Sequence, residues 1–489
     1  MKIKIRARTL HAQATTNDDN RILKALIDDN TVVNFVKTNR GTQAQKVFDG
    51  IPYHIKDRKI FLHKARFFDL CSGLVFKSSE ESLKEHKVKL VFNKDLIARD
   101  YQIPIIEKLS KIERNEVLGL TLATGRGKTF SIAKTISNIG LRTFIYVKSE
   151  YVLKWVEDVK LYFNLKDDEY YVVQGANSLN RLLLMNKKEL QNIKIYIIAA
   201  QTFNVYIKNY LNSNVKHTVT PPGFLKHIGA SIMLVDEAHE HFENIYKAYA
   251  ILSPVRAFLL SATLYNVDKR VERYIDEFIP EANRVTDGFV NKHATTIGVR
   301  YNLNKSRNFT FKTHMGYSHI LFEKSIRRRS ALLNSMFDMY KVFLDMYYLK
   351  DYKKGDKAVI FFSTIELCKL FIEYISIIYK DKKCSIYTQG FNFDTVLKHD
   401  ILATTIGKMG SAVDVPDLTA VLQTVVVNSR TKNEQTLGRL RPIPGRDLFY
   451  IFFNSVDIEP HTRNFTMRSA ILRRVSESLI TMKYNKLIG

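Results

Sequence analysis

The segment Ala123-Thr-Gly-Arg-Gly-Lys-Thr129 constrains this chain more than any other. It lies between an apolar run, Val117 to Leu122, and a helix-forming stretch, Phe130 to Ile139. A strand that turns into a helix through glycines leaves backbone N–H groups facing into the turn, and the helix N-terminus adds partial positive charge. Such a junction suits phosphate groups. Gly125 and Gly127 let the loop, with Thr124 and Arg126, curl round the anion; Lys128 is placed to pair with the β and γ phosphates and the Thr129 hydroxyl to ligate Mg²⁺. Leu122 stands where the general GxxxxGK[ST] pattern has its first glycine. The plainer alternative is a tight strand–helix turn with an incidental lysine.

The surrounding pattern supports an α/β reading. Apolar runs recur at Thr143 to Val147, Ile195 to Ala200, Ile232 to Val235 and Ala257 to Leu260, with helical segments between them. Runs apolar on both faces belong to parallel strands covered on both sides. A second series follows a basic, helical connector, Ser318 to Leu349. Its expected strands are Ala358 to Phe362, Cys384 to Thr388, Ile401 to Thr404, Ala420 to Val427 and Leu448 to Phe453. Two α/β sheets in tandem leave a cleft where ligands bind. The last stretch, Arg468 to Leu487, reads as a helix packed on this body.

Residues 1 to 90 carry neither series. Short β-like runs (Lys2 to Arg6, Lys59 to Leu62) alternate with polar stretches, and 18 Lys/Arg stand against 10 Asp/Glu. The expected division is a small basic α+β domain at 1–90, a first lobe at 91–285 and a second at 286–489. The net charge of +26 favours a polyanionic partner, of which nucleic acid is the commonest. Three scattered cysteines offer no zinc spacing or disulfide framework. No apolar run reaches the roughly 18 residues of a membrane span, and the opening MKIKIRARTL lacks the apolar core of a signal peptide. A soluble protein of the cytoplasm is expected, with a monomer plausible.

The second chemical signal is Asp236-Glu-Ala-His239, at the end of the run Ile232 to Val235. A carboxylate at the tip of a parallel strand faces the phosphate loop, where Asp236 can hold Mg²⁺ and Glu237 can accept a proton from an attacking water. Loop and carboxylates together imply a nucleoside triphosphate site that also holds Mg²⁺. Ser261-Ala-Thr263 closes the next strand; alone it is ordinary turn chemistry.

In this order the segments resemble the motor core of superfamily 2 helicases, over roughly residues 95 to 460. ATGRGKT is similar to motif I, DEAH to motif II, SAT to motif III and Gln435-Thr-Leu-Gly-Arg-Leu-Arg441 to motif VI. The resemblance implies two RecA-like lobes with the ATP site between them. Motif VI arginines then reach the γ-phosphate, a role that falls here to Arg439 or Arg441, with Gln435 beside them; many members have GRxxR, and GRLR leaves open which arginine acts. Arg99-Asp-Tyr-Gln102 resembles the element whose glutamine contacts adenine, with Asp100 in place of proline, and Asp414 falls in the motif V-like segment that begins at Thr404. The same resemblance places the nucleic-acid backbone against Lys148, Gln201, Thr202, Ser363 and Thr404.

The defining details of RNA-unwinding DEAD-box proteins are missing. The connector SIRRRSALLNSMFDMYKVFL and the small basic N-terminal block are similar to UvsW-like phage recombination and branch-migration DNA helicases. That implies an ATP-dependent helicase or translocase acting on single-stranded and branched duplex DNA in recombination, repair or replication, in the host cytoplasm if phage-encoded. Rival readings are the motor subunit of a nuclease or restriction system, an RNA helicase, and a non-enzymatic nucleic-acid scaffold.

Overall fold

The structure, a computed structural model, describes the chain except residues 7, 39–40, 49, 64–76, 82, 124, 241, 262–263, 265–268, 289–291, 305–308, 314–315, 389–397 and 407–414. Thr124, Ala262, Thr263 and Asp414 therefore lie outside the described residues. The chain divides into two compact units. One holds residues 1–37, 42–122 and 126–288; the other holds 289–489 with the short segments 38–41 and 123–125.

The first unit is built on a seven-stranded parallel sheet in the order Tyr170–Val173, Ile195–Ala199, Thr143–Val147, Ile232–Val235, Arg256–Ser261, Glu116–Thr121, Arg284–Thr286. Its inner strands are apolar on both faces because both are covered. Val117, Phe144 and Ile198 belong to one buried cluster, and Leu118, Ile145 and Ile197 to the cluster on the other side. Each apolar run therefore became a strand within a residue or so of its expected bounds. Ala200, expected to close a strand, instead opens the helix Ala200–Leu211.

An N-terminal sheet is docked on this lobe. Its order is Tyr53–His54, Lys59–His63, Thr9–Gln13, Lys2–Arg6, Lys77–Glu80, beside the helix Asn17–Asp29, which is capped by Thr16 and Asp19. The docking face carries histidines. His11 Nε2 lies 3.2 Å from the Ala250 carbonyl and His63 Nε2 lies 3.3 Å from that of Tyr246, both on the helix Phe242–Leu252. Burial holds both imidazoles well below their usual range, so they are neutral and donate a ring N–H there.

The second unit repeats the architecture: Cys384–Tyr387, Ile401–Thr405, Lys357–Phe362, Leu418–Gln423, Phe449–Ser455, Thr295–Leu303, Ser478–Ile488, all parallel. The last strand corrects an expectation. The helix Glu459–Val475 stops at Ser476, and Ser478–Ile488 pairs with Thr295–Leu303 as an edge strand. Lys483, Asn485 and Lys486 lie on an edge open to solvent, so their polarity was legible but the pairing was not. The connector is also two helices, His319–Arg327 and Ser330–Leu344, broken at Arg328 and Arg329. The strand expected to reach Val427 ends at Gln423. Among the described residues no helix is long and apolar enough to cross a membrane.

Candidate nucleotide and nucleic-acid sites

The described candidates Gly125 to Thr129, Lys148, Gln201, Thr202, Asp236 and Glu237 follow the carboxyl ends of parallel strands, where open α/β sheets bind ligands, while Arg99 and Gln102 precede the first strand of the series in the chain. The phosphate loop follows the strand Glu116–Thr121 and ends at Gly127, the N-cap of the helix Lys128–Ile139. Gly125 and Gly127 have φ of +84° and +72°. The N-cap is a glycine, which has no side chain to offer the N–H groups of the helix's first turn. Gln102 packs on the loop: its Nε2 would be 2.3 Å from a Cβ at Gly127. Its Oε1 accepts the Arg99 N–H at 2.9 Å, while Arg99 itself is exposed. Tyr101 lies under the Arg126 guanidinium, 3.5 Å from ring centroid to carbon, and Arg126 Nε donates to Asp287 at 3.0 Å. Neither Tyr101 nor Asp287 was singled out from sequence. Lys128 Nζ donates to the Leu122 carbonyl at 3.2 Å, keeping the ammonium inside the loop, and Thr129 is half-buried beside it.

Asp236 and Glu237 follow the strand Ile232–Val235. Asp236 accepts from the Trp155 indole N–H at 2.9 Å through Oδ2 and from the Glu237 N–H at 2.9 Å through Oδ1. Glu237 has a left-handed backbone, φ +49°, a conformation that costs on the order of 1 kcal/mol or more for a side chain of this size. Its Oε2 is buried, accepts no hydrogen bond from the described residues, and lies 3.3 Å from His239 Nδ1. Burial first, then the Asp236 charge, push its carboxyl up to about 7, against the pull of Lys128. Asp158, on the same helix as Trp155, is pushed up to about 6 by burial, with Asp236 adding to it. His239 Nδ1 lies 2.9 Å from the Ser261 hydroxyl, which ties the DEAH segment to the next strand end. Burial brings this imidazole down to about 4.

The candidate nucleic-acid residues fare unevenly. Lys148, Gln201, Asn204, Asp236, Glu237 and Glu240 line one cavity of about 180 Å³. Lys148 is ion-paired to Glu240 and lies 3.4 Å from Glu150. Gln201 Oε1 accepts from Ser149 N–H and Oγ–H, and Thr202 Oγ1 accepts the Gly175 N–H at 2.8 Å. In the second lobe Ser363 is half-buried and its N–H donates to Glu323 at 2.6 Å. Thr404 is a correction. Its side chain is fully buried and its hydroxyl donates to the Tyr387 carbonyl at 2.5 Å, so it is packed inside the lobe, out of reach of a backbone phosphate. Gln435, Arg439 and Arg441 lie on and just after the helix Arg430–Leu437; Gln435 and Arg441 are half-buried and Arg439 is buried. The His293 ring nitrogen lies 2.6 Å from the Leu440 carbonyl between the arginines.

Comparison with known proteins agrees with this architecture. Residues 95–266 match the family described as Type III restriction enzyme, res subunit. Among solved structures, Mss116p bound to single-stranded RNA and AMP-PNP is similar over 82% of this chain and 80% of its own, at 15% identity and a TM-score of 0.52. A fragment described as an HsdR subunit of a type I restriction enzyme from Vibrio vulnificus YJ016 is similar over 96% of this chain and 81% of its own, at 14% identity and a TM-score of 0.51. No curated protein sequence matches. The fold is that of tandem RecA-like helicase lobes with a small N-terminal domain.

Proposed function

We propose that this chain of superfamily 2 helicase fold is an ATP-driven motor that unwinds or remodels DNA, with branched duplex as its preferred form. The observation that carries the reading is the placing, in the first lobe, of a glycine-capped helix N-terminus with Lys128, and of the pair Asp236 and Glu237, after the carboxyl ends of two parallel strands with one strand between them. A phosphate suits the loop because Gly125 and Gly127, with φ of +84° and +72°, curl its backbone into the helix N-terminus, and at Gly127 only glycine leaves Gln102 its place. Asp236, already accepting two N–H donors as a carboxylate, fits a hard cation, with the Thr129 hydroxyl as the second candidate ligand. Bound MgATP supplies the phosphoanhydride bond and the charge whose neutralisation drives the cycle.

The chain's own groups then have distinct tasks. Lys128 and the loop N–H groups hold the phosphates; Gln102, fixed on the Arg99 backbone, is placed for the base. Glu237 takes the proton from water, a role that its buried Oε2 suits. Arg439, Arg441, Gln435 and Asp414 are proposed, from the helicase resemblance, for the γ-phosphate side. Lys148, Gln201, Thr202 and Ser363 are proposed for the nucleic-acid backbone, which the +26 charge favours. The basic N-terminal sheet docked on the first lobe supports a role in holding a branch.

The family match and the restriction-subunit neighbour, which covers nearly the whole chain, favour a second reading: the motor of a restriction system. One experiment separates these. ATP turnover is measured with single-stranded DNA, blunt duplex, a fork, a four-way junction and single-stranded RNA, with Lys128→Ala as control, and plasmid integrity is followed alongside. Strongest stimulation by branched DNA supports the proposal. Stimulation by RNA alone overturns the substrate, and plasmid cleavage moves the reading to the restriction motor.

A further inference from the structure

The second lobe contains a chain of buried polar side chains that the proposed chemistry does not use. Glu323, Asn454, His461, Asn464 and Arg468 are each 2% exposed or less. At one end Glu323 accepts the Ser363 N–H at 2.6 Å and the Thr364 hydroxyl at 2.8 Å, at the loop proposed to meet nucleic acid. At the other end lies the segment 424–429, which runs from the strand Leu418–Gln423 into the helix Arg430–Leu437 and so carries Arg439 and Arg441. Three side chains of the helix network hold that segment. Arg468 donates to the Val425 carbonyl at 3.3 Å; Asn464 donates to the Val427 carbonyl at 2.8 Å and to Asn428 Oδ1 at 2.7 Å; His319 Nδ1 accepts the Val426 N–H at 3.4 Å.

The middle of the chain has one consistent direction. His461 Nδ1 accepts the Ser455 N–H at 3.1 Å, so this imidazole, kept neutral by burial, carries its proton on Nε2. That N–H faces Tyr317 Oη at 2.6 Å, so Tyr317 turns its own proton to His319 Nδ1, also at 2.6 Å. His319 then carries its proton on Nε2, 3.6 Å from Glu323 Oε1. Asn454 closes the set by donating to the His461 carbonyl and to Asn464 Oδ1. From Ser455 through His461 and Tyr317 to His319 each donor meets an acceptor, and reversing one would leave two lone pairs or two protons face to face; Arg468 Nε has no partner among the described residues, and His319 faces Glu323 beyond hydrogen-bond distance. Burying an arginine on a carbonyl and a phenol is costlier than packing apolar side chains there, so stability alone does not account for the set.

We propose that Glu323, His319, Tyr317, His461 and Asn464 are positioning residues: they hold the segment that carries the motif VI arginines in fixed register with the loop at Ser363. The inference rests on the helicase reading, since it assigns a task to residues that serve that site.

The test compares wild type with Tyr317→Phe, which removes only the central hydroxyl, and Asn464→Ala, at the other end. ATP turnover is titrated with ATP at saturating poly(dT), and melting temperature is measured in parallel. Both variants are expected to lose about fivefold or more in stimulated kcat, with KM for ATP within about twofold. Two results overturn the relay: a folded variant with wild-type stimulated kcat, or a loss of turnover that vanishes on cooling to where the variant is fully folded. If wild type hydrolyses ATP without any response to polynucleotide, the helicase reading itself falls and the relay with it.

Discussion

The Trp155 indole N–H donates to Asp236 Oδ2 at 2.9 Å, across 81 residues of sequence. Trp155 is the chain's one tryptophan, buried in the helix Val152–Phe163. A hydrogen bond to a charged group contributes about 1.5–3 kcal/mol, and here it also fixes which way the proposed Mg²⁺ carboxylate points. Trp155→Phe keeps a ring in the core and deletes the donor. The half-saturating Mg²⁺ concentration for ATP turnover is expected to rise about tenfold. An unchanged Mg²⁺ requirement would show that Asp236 is oriented without the indole. In the wild type, the emission of the same indole is expected to change when Mg²⁺ is added with ATP.

Glu237 gives the pH dependence. Its carboxyl stands near 7 because burial and the Asp236 charge oppose ionisation. A base must be ionised to accept a proton, so turnover is present above that value and lost as pH falls through it. The limb of kcat/KM for ATP below about pH 7 is expected to fall about tenfold per pH unit. Glu237→Gln is expected to lower kcat about 10²–10⁴-fold while ATP still binds, as a fluorescent nucleotide analogue would report. A flat profile from pH 5 to 8 would remove Glu237 from the proton transfer.

Two glycines separate backbone strain from crowding. Gly127 and Gly175 both have positive φ, +72° and +92°. A Cβ at Gly127 would be 2.3 Å from Gln102 Nε2, whereas at Gly175 nothing lies within 4 Å. Alanine is expected to cost stability through strain at both positions, about 1 kcal/mol at Gly127 and about 1–3 kcal/mol at Gly175, where ψ is 165°. Only Gly127→Ala should also raise KM for ATP, because it displaces Gln102 and narrows the phosphate loop. Equal KM values in the two variants would show that the loop accommodates the methyl group.

The sequence showed what is local in cause. A strand buried on both faces must be apolar throughout, so the runs at Thr143, Ile195 and Ile232 declared themselves. The order of Lys128, Asp236 and Ser261 was legible because each ends or follows such a strand, Lys128 at the start of the helix after the loop, and Gln102 because its motif precedes the loop. What stayed hidden is set by pairing across distance. Trp155 meets Asp236, and Arg126 meets Asp287 across 161 residues; no periodicity encodes either. Thr404 shows the converse: the hydroxyl looked available in sequence, yet the neighbouring strand supplies its partner at Tyr387. Ser478–Ile488 was misread because an edge strand and an exposed helix carry similar polar residues.

The docked N-terminal sheet sets how this lobe responds to acid. His63 is stacked on Tyr246, ring centroids 4.0 Å apart, and burial lowers it from 6.5 to about 3. The unfolded chain takes up the proton near 6.5, the folded chain only near 3, so stability is present above 6.5 and is lost as pH falls through that window. One histidine contributes a slope of about 1.4 kcal/mol per pH unit. Glu237 works in the opposite sense. Raised to about 7 when folded, it gives stability that is present below its ordinary 4.5 and lost as pH rises toward 7. Because Trp155 lies in the same unit as His63, its fluorescence reports urea unfolding of that unit. Below pH 6 the wild type is expected to lose stability steeply, while His63→Phe, which keeps an aromatic ring between Tyr246 and Phe278, should show a slope shallower by about one proton. Identical slopes would mean that His63 is already released from the Tyr246 carbonyl before the unit unfolds, and that the sheet undocks first.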